Sequence, residues 1–338
     1  MSRILIMGVG GFGTALAVML QKAGHHLTLW TPFEEEAFLL SREREQAKLL
    51  PGIKIPGEVH ITTSIENAAN AAGLVIIATP SAAVRGTAKI LSKALPAKTV
   101  VSCVSKGLES GTHKTLSEVL DEELPKNPNA VISGPSHAEE VARGLPTTVV
   151  AASKTRRVAE FVQDTLMNER FRVYAGDDVL GVELGGALKN VIALAAGVLE
   201  GLGAGDNTKA ALMTRGITEI ARLGVALGAK SETFGGLSGI GDLIVTCSSM
   251  HSRNRRCGIL IGQGKPAAAA VSEIGMTVEG YPSAKAAYEL SCQNKIYMPI
   301  ITETYNVLYE GKAPADGVKD LMDRPKRHES ETIWLLSR

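Results

Sequence analysis

Short apolar runs and helix-like segments alternate along the first half of the chain. The runs at residues 4–7, 27–30, 74–78, 100–104, 130–133, 147–151 and 171–174 are β-rich. Several of them lack polar alternation, which is typical of strands buried on both faces of a parallel sheet. Segments with helical character lie between them, at residues 14–22, 65–72, 82–93 and 114–120. This order predicts a doubly wound α/β domain built on a parallel sheet.

The pattern changes after about residue 178. Longer helical segments follow at residues 182–199, 209–227 and 283–291, and convincing strand runs are lacking. Gly201, Gly203 and Gly205 are expected to end the first of these helices. With 338 residues the chain is long enough for two domains. We therefore predict an α/β domain over residues 1–181 and a mainly α-helical domain over residues 182–338.

Composition and charge narrow the class of protein. The formal net charge of +1 argues against a general nucleic-acid or membrane-surface binder. The apolar run at the N-terminus is interrupted by glycines, and no stretch of about 20 apolar residues exists, so we expect neither a signal peptide nor membrane insertion. The four cysteines form no CxxC pair, which indicates reduced thiols. We therefore predict a cytoplasmic protein. The histidines show no HxxxH or HExxH spacing, and we predict no metal.

A glycine-rich loop follows the first predicted strand. Gly8, Gly10, Gly11, Phe12 and Gly13 lie in a G-x-G-x-x-G pattern that opens a helix, within a βαβ unit ending at residue 30. In such a loop the first glycine permits a tight turn, the second lets the backbone approach a pyrophosphate, and the third allows close helix packing. The helix N-terminus also attracts phosphates. The loop predicts a Rossmann-type dinucleotide site that binds NAD or NADP.

The residues after the second strand bear on the choice between the two cofactors. The acidic residue expected there for the adenine ribose is replaced by a segment from Trp30 to Phe33, followed by three glutamates at 34–36. These acids would repel a 2′-phosphate, and no arginine stands at this point to bind one, so the segment favours NAD. The glutamates also suit a solvated first helical turn. Phe33 could contact the adenine or simply start a helix.

Four further segments combine polar residues with glycines or apolar surroundings. Two follow predicted buried strands, one lies within an apolar helix, and one lies in the C-terminal half; their candidate residues are Lys106, Gly134, Ser136, Lys189, Asn190, Asp242, Ser252, Arg253 and Asn254. Lys189 is the most informative. Its side chain could turn outward to solvent, but the two glycines before it allow close packing, and burial among apolar residues would lower its pKa and make it an acid or base near neutral pH. Lys106 could equally be a surface lysine. The arginines at 253, 255 and 256 suit a solvated face or a single phosphate site.

Taken together, these segments resemble the NAD(P)-dependent glycerol-3-phosphate dehydrogenases over almost the whole chain. The resemblance rests on nine segments in the family's order: residues 8–15 (GVGGFGTA), 50–52 (LPG), 105–107 (SKG), 133–136 (SGPS), 186–190 (GALKN), 205–210 (GDNTKA), 241–243 (GDL), 252–254 (SRN) and 278–280 (VEG). The segment after Trp30 departs from the bacterial pattern, where Arg or His is common, and is similar to eukaryotic NAD-using members.

The resemblance implies a role for each matching residue. Lys189 matches the catalytic lysine that exchanges a proton with the substrate, and Lys106 matches a second lysine where cofactor and substrate meet. Asp242 is assigned to the catalytic residues with them. Substrate-contacting positions are matched by Lys106, Gly134, Ser136, Lys189, Asn190, Asp242, Ser252, Arg253 and Asn254. Cofactor-contacting positions are matched by Gly11, Phe12, Lys106, Ala138, Arg253 and Glu279. The implied substrate is a small phosphate, dihydroxyacetone phosphate or glycerol 3-phosphate, used in phospholipid synthesis, and the implied assembly is a homodimer.

Two other readings of the sequence remain. A related two-domain reductase of a β-hydroxyacid or sugar phosphate would share the nucleotide loop but need not share the Asp242 and Arg253 segments. A nucleotide-sensing protein without turnover would tolerate loss of Lys189, which this chain retains.

Overall fold

An eight-stranded sheet forms the centre of the N-terminal half. The computed structural model describes residues 1–326 and 328–329; residues 327 and 330–338 of the predicted second domain lie outside the described residues. The strands are β1 (Arg3–Met7), β2 (His26–Trp30), β3 (His60–Thr62), β4 (Leu74–Ile77), β5 (Val100–Cys103), β6 (Asn129–Ser133), β7 (Thr147–Ala152) and β8 (Phe171–Gly176). Their order is β3-β2-β1-β4-β5-β6-β7-β8, which confirms the doubly wound α/β prediction. β3 is only three residues long and half-exposed, so the sequence carried no apolar run for it.

One strand pairing departs from the predicted parallel sheet. β7 runs antiparallel to β6 and parallel to β8, whereas every other pairing is parallel. The connection from β6 to β7 holds only the six-residue helix α6 (Ala138–Arg143), and this helix packs beside the start of α1 (Gly11–Lys22). A six-residue helix is about 9 Å long, shorter than the roughly 16 Å of a five-residue strand, so α6 does not carry the chain back to the opposite edge of the sheet. The chain therefore re-enters the sheet from the edge where β6 ended.

Helices cover both faces of the sheet. They are α1, α2 (Glu34–Glu43), α3 (Glu66–Asn70), α4 (Val84–Leu91), α5 (Leu116–Glu123), α6 and α7 (Arg156–Leu166). Alternate residues of β1 enter different cores: Ile4 and Ile6 pack in one hydrophobic cluster, and Leu5 and Met7 pack in another. Both faces of β1 are buried, which explains why its residues form a continuous apolar run in the sequence.

The second half is helical and is built around α8 (Val179–Gly201). The helices that follow are α9 (Asp206–Ala226), α10 (Ser231–Phe234), α11 (Asp242–Ser248), α12 (Arg253–Gly262), α13 (Ala267–Ile274), α14 (Gly280–Gln293), α15 (Pro299–Tyr309) and α16 (Pro314–Met322). By length and composition α8 could cross a membrane, but 83% of its apolar window is buried inside the fold, as in the core helix of a soluble protein. The predicted division between residues 181 and 182 falls within the first turn of α8.

Two pairs of glycines bring α8 and α12 into backbone contact. Gly197 and Gly201 lie four residues apart on α8, as Gly258 and Gly262 do on α12. A Cβ atom on any of the four would overlap a backbone carbonyl oxygen of the other helix. Residues four apart share a helix face, so the two glycine faces form one seam. This seam fixes where the start of α12 lies relative to the middle of α8.

Candidate active site

The glycine-rich loop has the geometry of a phosphate cradle. Gly8 has φ +116°, in the region that favours glycine, and a Cβ there would lie 2.9 Å from the Ala78 carbonyl oxygen. A Cβ on Gly13 would overlap the Gly8 carbonyl oxygen, so α1 can approach the strand only without one. Gly10 caps α1 and has open space where its Cβ would be. The loop therefore fits the pyrophosphate of a dinucleotide at a helix N-terminus.

Residues from elsewhere in the chain surround this loop. Ala138, at the start of α6, lies 3.7 Å from the Cβ position of Gly11, and Phe12 packs partly buried against the sheet core. Both are therefore close to the cradle, as the cofactor predictions require. Phe33 precedes α2 with 66% of its surface exposed. Phe33 is therefore a surface residue at the start of a helix, and its contact with the adenine stays a prediction.

A single carboxylate holds two lysines in a buried cluster. Lys189 Nζ donates to Asp242 Oδ1 at 2.6 Å, and Lys106 Nζ donates to Asp242 Oδ2 at 2.6 Å. Lys106 also donates to the Gly134 carbonyl oxygen at 2.9 Å, and this oxygen accepts the Ser136 hydroxyl at 2.9 Å. Asp242 and Lys189 are only 1% and 5% exposed. Five predicted site residues from four segments thus meet at one point.

Glycines allow these segments to converge. Lys106 follows β5 and Gly134 follows β6, so both lie at the carboxyl edge of the sheet, where α/β proteins bind ligands. A Cβ on Gly186 of α8 would lie 2.7 Å from Ser133 Oγ, and one on Gly185 would lie 2.7 Å from the Ser238 carbonyl oxygen. These two glycines therefore let α8 fit between the sheet edge and the segment that carries Asp242.

Burial and charge set the protonation of the cluster. Burial, together with the nearby Lys106 ammonium, lowers the pKa of Lys189 to about 8, although Asp242 opposes the shift. Burial alone would raise the pKa of Asp242, but the two lysines outweigh it and hold that pKa below its ordinary value. Lys189 can consequently exchange a proton near neutral pH while Asp242 remains ionised.

A chain of amides connects this cluster to the predicted cofactor position Glu279. Asn190 Oδ1 accepts from Asn254 Nδ2 at 2.9 Å, and Asn254 Oδ1 accepts from the Gly280 backbone N–H at 2.8 Å. Next to Gly280, the Glu279 carboxylate accepts from the Ser81 N–H at 3.0 Å and from the Ser81 hydroxyl at 2.5 Å. The loop after β4 is thereby tied to the helical domain.

The arginine cluster divides into two environments. Arg253 is exposed at the first turn of α12, after Ser252, whose hydroxyl caps the helix by accepting the Arg255 N–H. Arg255 is buried, and its guanidinium donates to both carboxylate oxygens of Glu200 at 2.7 to 3.0 Å. The prediction of a solvated face or phosphate site is therefore wrong for Arg255, because Glu200 from α8 neutralises it inside the fold.

Sequence reasoning missed several polar partners. Lys189 Nζ also donates to Thr246 Oγ1 at 2.6 Å, and Ser81 and Glu200 are partners from distant segments. Thr246 could have been found, because it lies four residues after Asp242 and so shares its helix face. Ser81 and Glu200 carry no local signal.

The four cysteines are unpaired; Cys103, Cys247 and Cys257 are buried and Cys292 is exposed, in agreement with the prediction of free thiols.

Known proteins share this architecture. A family model described as the NAD-dependent glycerol-3-phosphate dehydrogenase N-terminus matches residues 3–159, and the corresponding C-terminus model matches residues 178–319. The chain is 55% identical over 329 residues to the glycerol-3-phosphate dehydrogenase (NAD(P)+) of Moorella thermoacetica, covering 97% of this chain and 98% of that protein. It is 50% identical over 337 residues to the protein of the same name from Desulfitobacterium hafniense, covering 100% of this chain and 96% of that protein. The solved structure of glycerol-3-phosphate dehydrogenase from Coxiella burnetii matches with a TM-score of 0.92 at 36% identity, covering 96% of this chain and 99% of that chain.

Proposed function

The chain belongs to the NAD-dependent glycerol-3-phosphate dehydrogenase family, and on this premise we propose which residues perform each step of the reaction. The protein is an NAD(P)-dependent oxidoreductase that interconverts dihydroxyacetone phosphate and sn-glycerol 3-phosphate, the precursor used in phospholipid synthesis. The observation that carries the residue assignment is the Asp242 carboxylate, which holds Lys106 and Lys189 together at the carboxyl edge of the sheet.

Lys189 is the proton donor and acceptor of the reaction. When bound, the nicotinamide cofactor supplies or accepts the hydride at the substrate carbon. In the reductive direction the Lys189 ammonium stabilises the developing alkoxide and gives it a proton, and in the oxidative direction the neutral amine takes that proton back. Asp242 keeps the lysine in place, and its ionised state compensates the positive charge of the two ammonium groups.

Lys106 and the helical domain orient the substrate. Lys106 follows β5, and its hydrogen bonds to the Gly134 carbonyl and to Asp242 hold its ammonium group beside Lys189, at the reacting end of the site. Arg253, with Ser252 and Asn254 beside it at the start of α12, provides a guanidinium for the substrate phosphate. Binding the phosphate away from the reacting carbon allows remote binding energy to position the carbonyl.

Nicotinamide absorbance in purified protein tests this assignment. With dihydroxyacetone phosphate we expect oxidation of NADH, and faster than that of NADPH because the acids after Phe33 disfavour a 2′-phosphate. The variant Lys189→Met should lower turnover by roughly 10²–10⁴. Lys89→Met is the matched control, since the side chain of Lys89 is 61% exposed on α4. Near-normal turnover in Lys189→Met would refute the role of Lys189, and faster use of NADPH would refute the NAD preference.

Three coarser features complete the proposal. We propose that the α/β part up to residue 181 binds the cofactor and that the helices from residue 182 onward hold the substrate against it, in agreement with the positions of the loop and of Lys189. We also propose a homodimer in the cytoplasm. Free thiols on all four cysteines support a reducing compartment. Sedimentation of the purified protein would test the dimer, since a monomer at enzyme concentrations that show full activity would contradict it.

A further inference from the structure

The segment between α2 and β3 packs over the nucleotide loop. It is anchored by the buried side chains of Leu50, Ile55 and Val59, which join the same hydrophobic cluster as α1. The Leu49 carbonyl oxygen lies 2.8 Å from the position that a Cβ on Gly11 would occupy. The backbone of this segment is therefore in close contact with the cradle and has a fixed position relative to it.

Gln46 is the side chain by which this segment bonds to the loop. Its Nε2 donates to the Val9 carbonyl oxygen at 2.9 Å, and only 7% of Gln46 is exposed. The same carbonyl accepts the Thr14 hydroxyl at 3.2 Å. The Gln46 backbone oxygen in turn accepts the N–H groups of Leu49 and Leu50, so the residue is held at both ends.

The geometry of the peptide bond gives this contact a consequence for the cofactor. The Val9 carbonyl and the Gly10 N–H belong to one peptide unit, which is planar and trans, so the two groups point in opposite directions. Two donors fix the direction of the carbonyl, and they thereby fix the direction of the Gly10 N–H. That N–H therefore points away from Gln46. Gly10 is the N-cap of α1, and no atom lies within 4 Å of where its Cβ would be, so the backbone there is open to a phosphate at the helix N-terminus.

We propose that Gln46 is a positioning residue for the cofactor: it orients the Val9–Gly10 peptide so that the Gly10 N–H is ready to bind the pyrophosphate. This inference rests on the proposed function, since it requires a dinucleotide in the cradle. It assigns a cofactor-binding task to a residue outside the glycine-rich motif. The task concerns affinity for the cofactor and not the proton transfer at Lys189, so the two can be separated by kinetics.

The test replaces Gln46 with methionine, which has a similar length but no N–H. We expect the Kd for NADH, measured by fluorescence titration, and the KM for NADH to rise together by roughly 5- to 20-fold, the range for a lost buried hydrogen bond. The kcat at saturating NADH and the KM for dihydroxyacetone phosphate should stay within about twofold. Glu45→Gln is the control, because Glu45 binds Gly52 and Lys54 in the same segment without touching Val9.

Each outcome decides one claim. If the wild-type protein does not bind NADH, the proposed function fails and the inference fails with it. If the wild type binds NADH and Gln46→Met binds it equally well, only the role of Gln46 is refuted. An equal loss in Glu45→Gln, or a parallel fall in kcat, would show a general structural role instead. If Gln46→Met does not fold, Gln46→Asn is used instead, because its shorter side chain keeps the amide but moves it out of reach of the Val9 carbonyl. An unchanged Kd for NADH in that variant would refute the proposal.

Discussion

Replacing Asp242 with asparagine removes the one charge that both lysines share. The two Asp242 oxygens each accept from one ammonium group at 2.6 Å, and all but 1% of the residue is buried. Asparagine preserves the size of the side chain and one acceptor oxygen. It leaves two neighbouring ammonium groups without a counter-charge. The charged form of Lys189 should therefore become less favourable, and its pKa should fall further below its ordinary value.

The size of the fall follows from the distances. An ammonium nitrogen 2.6 Å from a carboxylate oxygen has its charge centre about 3.5 Å from that of the carboxylate. At an effective dielectric constant of about 20, the attraction is about 5 kcal/mol, equivalent to roughly 3 pKa units. Water entering the variant site and the remaining amide oxygen will offset part of this. We expect the pKa of Lys189 to drop from about 8 by at least about one unit.

The assay is the pH dependence of kcat/KM for dihydroxyacetone phosphate at saturating NADH. Reduction needs protonated Lys189, so the wild-type rate should decline as the pH rises through about 8. In Asp242→Asn the decline should begin at least about one pH unit lower, and each unit should cost about tenfold in the reactive form at higher pH. Thr246→Val is the control, because it removes a hydrogen bond from Lys189 without changing charge. If the decline of Asp242→Asn stays at the wild-type pH, the electrostatic argument is wrong.

Two further predictions concern stability. Burial raises the pKa of Glu183 to about 7 from 4.5, so the folded state keeps a proton that the unfolded state releases and stability should fall as the pH rises between these values. Glu183→Gln can still bond to the Ser117 N–H and hydroxyl. Its free energy of unfolding, measured with urea, should therefore exceed that of the wild type by up to about 3 kcal/mol above pH 7 but by little near pH 4. Equal gains at both pH values would contradict this. Gly197→Ala should lower the free energy of unfolding by at least about 2 kcal/mol, because the new Cβ would overlap α12. Gly86→Ala lies in open space on α4 and should raise the free energy of unfolding by up to about 1 kcal/mol. Similar effects of the two substitutions would refute the close contact between α8 and α12.

The sequence was most informative where one local pattern determines the structure. Buried parallel strands produce continuous apolar runs, and a strand followed by spaced glycines produces one kind of turn, so the sheet and the cradle were predictable. Burial was one of the two positions that the sequence allowed for Lys189, and Gly185 and Gly186 before it favoured burial. In each case the evidence lies within about ten neighbouring residues.

Features that depend on pairs of distant residues were not predictable. The antiparallel β7 results from where α6 packs, which the residues of β7 do not encode. The burial of Arg255 depends on Glu200, 55 residues away, and the contact between Gln46 and Val9 spans 37 residues. Short helices such as α10 carry too few turns for a periodic signal. For such features the sequence shows the functional groups but not which of them meet.

The position of α8 explains why the chemistry depends on both halves of the fold. Near its N-terminal end, Gly186 allows close contact with the sheet edge and Gly185 with the segment that carries Asp242; near its C-terminal end, Gly197 and Gly201 allow close contact with α12. Lys189 lies between the contacts at these two ends, so a displacement of either end would move its Nζ relative to Lys106 or relative to the exposed Arg253. A proton donor must lie within hydrogen-bond reach of the reacting oxygen while a distant phosphate is held. A rigid helix with close contacts at both ends meets that requirement, which accounts for glycines in a helix interior where each costs stability relative to alanine.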